Sequence, residues 1–223
     1  MLKKAVFRGM HTLGLAKPVL KLLLKGHNLT YRYTGSLSQL VESDGLHPKH
    51  RLMDYHQWFV RNVQPQWRAL DIGCGNGALT LELAENCQAV TGIDLEIRNI
   101  EEARKRVPNA NARFVCDDAT TYLFEEEFDV ITLSNVLEHI EFRVEFLKKL
   151  HRLSSRLLVR VPLIDRDWIT LYKQELGVEY RLDPTHYIEY TVDGLREELV
   201  QAGGEISEFR VRFGEVYAQV RKE

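Results

Sequence analysis

From Arg68 onward the chain alternates short apolar runs with longer amphipathic ones, and few folds can accept that rhythm. Residues 68–72, 89–93, 112–116, 128–133 and 156–161 have the length and apolar content of buried strands. Between them, residues 77–85, 98–106 and 137–153 repeat with a helical period. Strands separated by helices are parallel neighbours joined by crossovers, so both faces of their sheet are covered. The pattern therefore predicts an α/β, doubly wound domain. Residues 162–190 interrupt the rhythm with Asp, Arg, Trp and Tyr, and a helix at 192–202 capped by Gly203 and Gly204 follows. Two last runs, 205–211 and 216–220, flank a glycine turn and predict a hairpin at the sheet edge.

A chain of 223 residues, 44% apolar, can bury one full core. The expected division is a basic helical appendage and linker at 1–45, then a main domain at 46–223 with a substrate lid inserted near 162–190. In the appendage, residues 2–15 and 18–25 read as two short helices, broken at Gly14 and Pro18 and ending at Gly26. Residues 34–45 read as a linker, and 47–63 as a helix leading to the first strand. Residues 1–41 hold seven Lys or Arg and no acid, which leaves 23 basic against 32 acidic residues elsewhere, a net of −9. An acidic body disfavours broad gripping of nucleic acid. The basic arm, residues 1–26 above all, reads either as a packed appendage with solvated lysines or as peripheral membrane contact. Three cysteines suit neither a disulfide framework nor a zinc site. With no apolar run near the roughly 18 residues of a spanning helix and no signal-peptide pattern, a cytoplasmic location is expected.

The segment Asp71-Ile72-Gly73-Cys74-Gly75-Asn76-Gly77 closes a strand and opens a helix. Its glycines permit tight turning and close ligand approach, and helix N-terminal amides can face a polar ligand. Glycine spacing alone also fits a dinucleotide fingerprint. Asp71 lies where a carboxylate can organise the loop and the amino end of a zwitterionic ligand. Asp94, with Leu95 after it, ends the second strand, where an acid can accept both hydrogen bonds of a ribose diol. Asp117, Asp118 and Ala119 end the third strand, where Asp118 can accept from an adenine amino group.

With Ser134-Asn135-Val136-Leu137-Glu138-His139 after the fourth strand, these motifs resemble the class I S-adenosylmethionine-dependent methyltransferases, from about residue 54 to residue 222. The resemblance implies a seven-stranded, mostly parallel sheet of order 3-2-1-4-5-7-6 with strand seven antiparallel. It also implies S-adenosyl-L-methionine as cofactor, held by Asp71, Gly73, Cys74, Gly75, Asn76, Gly77, Asp94, Leu95, Asp117, Asp118, Ala119, Ser134 and Asn135. In the similar ubiquinone-pathway O-methyltransferases a matching Leu-Glu-His run lies at the active site, which assigns catalysis to His139 and Glu138. A neutral histidine suits removal of a hydroxyl proton.

Arg166, Arg181, His186 and Tyr190, in the polar and aromatic insertion, are candidate anchors for a hydroxylated or anionic acceptor such as a small molecule, glycan or quinone. Related small-RNA 2′-O-methyltransferases bind a divalent ion through Glu-x-x-Glu-His and a distant His. Here Asn135 replaces the first Glu, which weakens hard-ion binding, so no metal is expected. Other readings are N- or C-methylation, a non-catalytic cofactor-binding partner subunit, and a nicotinamide oxidoreductase.

Overall fold

The computed structural model describes residues 2–43, 45–108 and 111–223. By their internal contacts they form two units, one of Met1–Leu52 with Asp167–Pro184 and the other of Met53–Arg166 with Thr185–Glu223. In the first unit, α1 (Leu2–Thr12) and α2 (Ala16–Val41) are separated at Gly14, which takes φ +68°. The stop expected at Gly26 is not there. α2 runs through both Gly26 and Gly35, so most of the expected linker is helix; Asp44, near its end, lies outside the described residues. A glycine inside a helix costs only about 1 kcal/mol. Pro18 falls in the first turn, where a missing N–H costs nothing.

The helix expected at 47–63 is two, α3 (Lys49–Met53) and α4 (Tyr55–Arg61), parted by Asp54 in the left-handed region at φ +51°. The second unit then continues through β1 (Arg68–Ile72), α5 (Ala78–Asn86), β2 (Ala89–Asp94), α6 (Ile97–Arg106), β3 (Ala112–Cys116) and β4 (Val130–Ser134). A 3-10 turn at Leu137–His139, α7 (Arg143–Leu153) and β5 (Arg156–Pro162) follow. After α8 (Trp168–Glu175), which belongs to the first unit, come α9 (Val192–Gln201), β6 (Gly204–Arg212) and β7 (Glu215–Lys222).

The sheet order is β3-β2-β1-β4-β5-β7-β6. The first five strands are parallel, and β7 runs antiparallel to both β5 and β6. Alternate residues of each strand feed opposite cores, as the pleat requires. Leu70, Ile72, Ile131, Leu133, Leu157 and Val159 pack with Leu147 and Leu150 of α7 and Leu195 and Leu199 of α9. Ala69, Val130 and Leu158 face the other way, with Phe59 of α4 and Leu79 and Leu83 of α5. Because β2 and β4 flank β1, the order reverses at the carboxyl end of β1, where α/β sheets open a ligand crevice.

The insertion does not behave as one piece. Leu163 pairs with Tyr190 in a parallel bridge beside the sheet, whereas residues 167–184 join the N-terminal helices. Asp167 caps α8 by accepting from the Thr170 amide at 2.6 Å. Lys173 Nζ meets His27 Nδ1 at 3.1 Å, and Asn28 donates to the Glu179 carbonyl at 2.6 Å.

Candidate active site

The glycine loop turns because Gly73, Gly75 and Gly77 all take positive φ, between +53° and +77°. A side chain at Gly77 would meet Ala103 Cβ at 2.9 Å, and one at Gly73 would meet Val136 Cγ2 at 2.7 Å. At Gly75 a Cβ would meet nothing within 4 Å, so this residue borders open space. Asp94 organises the loop from β2: Oδ2 accepts from the Gly75 amide at 2.9 Å, while Oδ1 accepts from the Glu96 amide and Asn99 at 2.9 and 3.0 Å. Leu95 beside it is 68% exposed.

Three of the loop's backbone amides are engaged within the protein, that of Gly75 by Asp94 and two by the strand ladder. Gly73 N and Cys74 N both donate to the Ile93 carbonyl, at 2.8 and 3.1 Å, because β1 and β2 keep their ladder into the turn. Cys74 is itself buried, and burial together with the Asp71 and Asp94 charges pushes its thiol well above the usual range. Asn76 lends its carbonyl to Arg106 Nε at 3.1 Å. Asp71 stands behind the loop. It is buried and accepts from Thr80 Oγ1 at 2.6 Å and Thr132 Oγ1 at 2.8 Å, which offset part of the rise in pKa that burial imposes.

After β3, the Asp117 carboxylate accepts from the Asp118 amide, and Asp118 Oδ1 accepts from the Thr120 amide and hydroxyl at 2.8 and 2.7 Å. Lys149 of α7, which the motifs did not suggest, pins this loop by donating to the carbonyls of Ala119, Thr120 and Tyr122 at 3.2, 2.9 and 2.8 Å.

At the end of β4, Ser134 Oγ accepts from Arg160 Nη1 at 2.9 Å, and Asn135 takes φ +58° while its amide donates to the Arg160 carbonyl. Asparagine tolerates that region better than most residues. Arg160 is 4% exposed, bonds Glu215 at 2.6 Å and lies over the Tyr55 ring at 3.6 Å. A charge inside the otherwise apolar run of β5 was the signal that could have found this pair. Val136, packed on Gly73, carries the 3-10 turn that presents Glu138 and His139 next to the cradle.

Glu138 is fully buried, neither carboxyl oxygen has a partner, and burial pushes its pKa up to about 8. His139 is exposed, with Nδ1 at 2.9 Å from Thr185 Oγ1. Its ring meets that of His186 edge-on, centroids 4.5 Å apart. Buried His186 hydrogen-bonds Glu189 at 2.8 Å, and the other Glu189 oxygen accepts from Arg166 Nη1 at 2.5 Å. Glu138, His139 and His186 thus hold possible ligand atoms within 4.8 Å of one another, three donors despite Asn135.

Three candidate anchors have partners within the protein. Tyr190 is 0% exposed in the core, its hydroxyl donating to Glu198 at 2.8 Å, so it is removed from any acceptor. Arg166 is committed to Glu189 and to the Leu163 carbonyl. Arg181 pairs with Glu179 at 2.8 Å within the first unit.

Residues 69–156, which contain the glycine loop and the Glu138-His139 turn, match the family model of a methyltransferase domain. A probable cobalt-precorrin-6B C(15)-methyltransferase (decarboxylating) of Thermoplasma acidophilum is 26% identical over 157 residues, 66% of this chain and 77% of that protein. A ubiquinone biosynthesis O-methyltransferase of Histophilus somni is 35% identical over 104 residues, 42% of this chain and 44% of that one, so the chain spans less than half of its length. Among solved structures, magnesium protoporphyrin IX methyltransferase from Synechocystis PCC 6803 with bound SAH has a TM-score of 0.62 at 20% identity, covering 78% of this chain and 83% of its own.

Proposed function

We propose that this chain, a class I S-adenosylmethionine-dependent methyltransferase, methylates a hydroxyl of a small molecule, glycan or quinone-like acceptor, with His139 as the base. The cradle fits the cofactor. Gly75 borders open space under a carboxylate suited to a ribose, and exposed Leu95 supplies an apolar face for a base. Bound there, S-adenosyl-L-methionine supplies an electrophilic methyl group.

The observation that carries the acceptor chemistry is the imidazole of His139, exposed one short turn beyond the residue that packs on the glycine loop. Thr185 and the His186 ring hold its orientation, and Glu189 with Arg166 fixes His186 in turn. A positioned base of this kind contributes about 10²- to 10⁴-fold. Methyl transfer from labelled cofactor to a panel of phenols, catechols and sugars tests the reading. His139→Gln should lower kcat at least about a hundredfold while S-adenosylhomocysteine affinity, measured by calorimetry, stays near wild type. Unchanged turnover on every hydroxyl acceptor, or transfer to amines alone, would end it.

A second reading rests on the three clustered donors: a divalent ion at Glu138, His139 and His186 that orients the acceptor oxygen. Full activity in chelator would remove it, and activity restored by added Mg²⁺ or Mn²⁺ would replace the base mechanism.

A further inference from the structure

We infer that α2 is a membrane-surface helix that lays one face on an anionic lipid bilayer. Leu15 at its N-cap, then Leu22, Leu29, Tyr33, Leu37 and Leu40, follow one another at intervals of seven, seven, four, four and three residues. At roughly 100° per residue these six positions fall within an arc of about 80°. All are open to solvent, from 47% exposed at Leu15 to 82% at Leu40. The inward edge lies on the other side of the helix, at Leu24, its one buried residue, and at Asn28, which bonds the Glu179 carbonyl. The exposed stripe is therefore surplus to the packing of the unit.

Lys25 and Arg32 lie along one flank of that stripe, with Lys21 a little farther round the helix. Residues 1–41 contain no acid. An apolar stripe beside cations is the arrangement of a helix lying in the interface plane, with its apolar face in the acyl boundary and its cations among anionic headgroups. A second copy of the chain is the other occupant with matching chemistry, because the stripe is nearly heptad. Pairing two such helices, however, would set lysine against lysine with no acid to compensate. Spanning is excluded for this helix, since no helix among the described residues is long and apolar enough to cross a membrane. The inference is independent of the acceptor and of His139.

Flotation of the full chain with vesicles of phosphatidylcholine alone, and of phosphatidylcholine containing phosphatidylglycerol, tests it. The wild type should float with the anionic vesicles only and be released by high salt. Lys21→Gln, Lys25→Gln and Arg32→Gln together should weaken partitioning on the order of a hundredfold, about fivefold per charge. Leu22→Gln, Leu29→Gln and Leu37→Gln together should weaken it at least tenfold (~10×). Glutamine is a good helix former, and an unchanged circular dichroism spectrum would show that each variant folds. Three results would overturn the inference: no flotation of the wild type, binding indifferent to the leucine replacements, or a dimer in sedimentation that those replacements dissociate.

Discussion

The glycine-loop region and the region around His139 lie next to each other but are built differently. In the glycine-loop region, several residues that touch are near neighbours in the β1–α5–β2–α6 run: Asp71 meets Thr80, Gly75 meets Asp94, and Asp94 meets Asn99. Around His139, the imidazole meets Thr185 and His186, and nearby Arg160 joins Ser134 to Glu215. The first is local chemistry on a supersecondary motif, whereas the second exists only once distant segments have packed.

The sharpest way to break this comparison is at Arg160. Arg160→Met leaves Glu215 buried without its cation and strips Ser134 of its donor, so it should cost about 3–5 kcal/mol of stability, read as a large drop in the calorimetric midpoint. If the region around His139 is as separable as its construction suggests, Arg160→Met with Glu215→Leu should recover much of that loss. Next, Asp94→Ala removes the acceptor of two loop amides and Asn99, and S-adenosylhomocysteine affinity should fall by about one to two orders of magnitude in calorimetric titration. A smaller effect is expected at Tyr190→Phe, which deletes one buried hydrogen bond worth about 1 kcal/mol. Its midpoint should drop slightly with acceptor KM unchanged, and a changed KM would return Tyr190 to the acceptor site.

The smallest effect lies at His151 of α7. Burial, with the Lys222 charge, holds its imidazole below the ordinary value of 6.5. The folded chain therefore keeps it neutral while the unfolded chain takes up a proton near 6.5. Its contribution is full above that value and is lost as pH falls through it. His151→Leu should flatten the pH dependence of the midpoint over that window, and a slope identical to wild type would show that other groups carry it.

Legibility followed the same divide. The parallel α/β alternation, the edge hairpin and the glycine loop are readable because strand and helix periods and glycine turns leave marks at fixed spacing, whereas the sheet order came only as what the family resemblance implies. Thr80 and Thr132 on Asp71, and Lys149 under residues 119–122, leave no such mark, since a hydroxyl or lysine at those places is also ordinary surface chemistry. Tyr190 was misread as an anchor because a tyrosine in a polar segment looks available until its burial is known. α2 is longer than its glycines suggest because neither Gly26, read as a helix end, nor Gly35, within the expected linker, stops it; a helix outlasts a glycine when its other residues favour it.

By itself, then, the amino-acid sequence determined the α/β architecture, the position of the cradle and the acids that rim it, because those depend on periodicity and on glycine's access to positive φ within a few residues. Only the tertiary structure decided that His139, His186 and Glu138 meet, that Arg160 and Glu215 bury a charge pair nearby, and that the insertion divides between two units. Those outcomes depend on which buried polar groups find partners across more than forty residues of intervening chain, and local pattern carries no term for that.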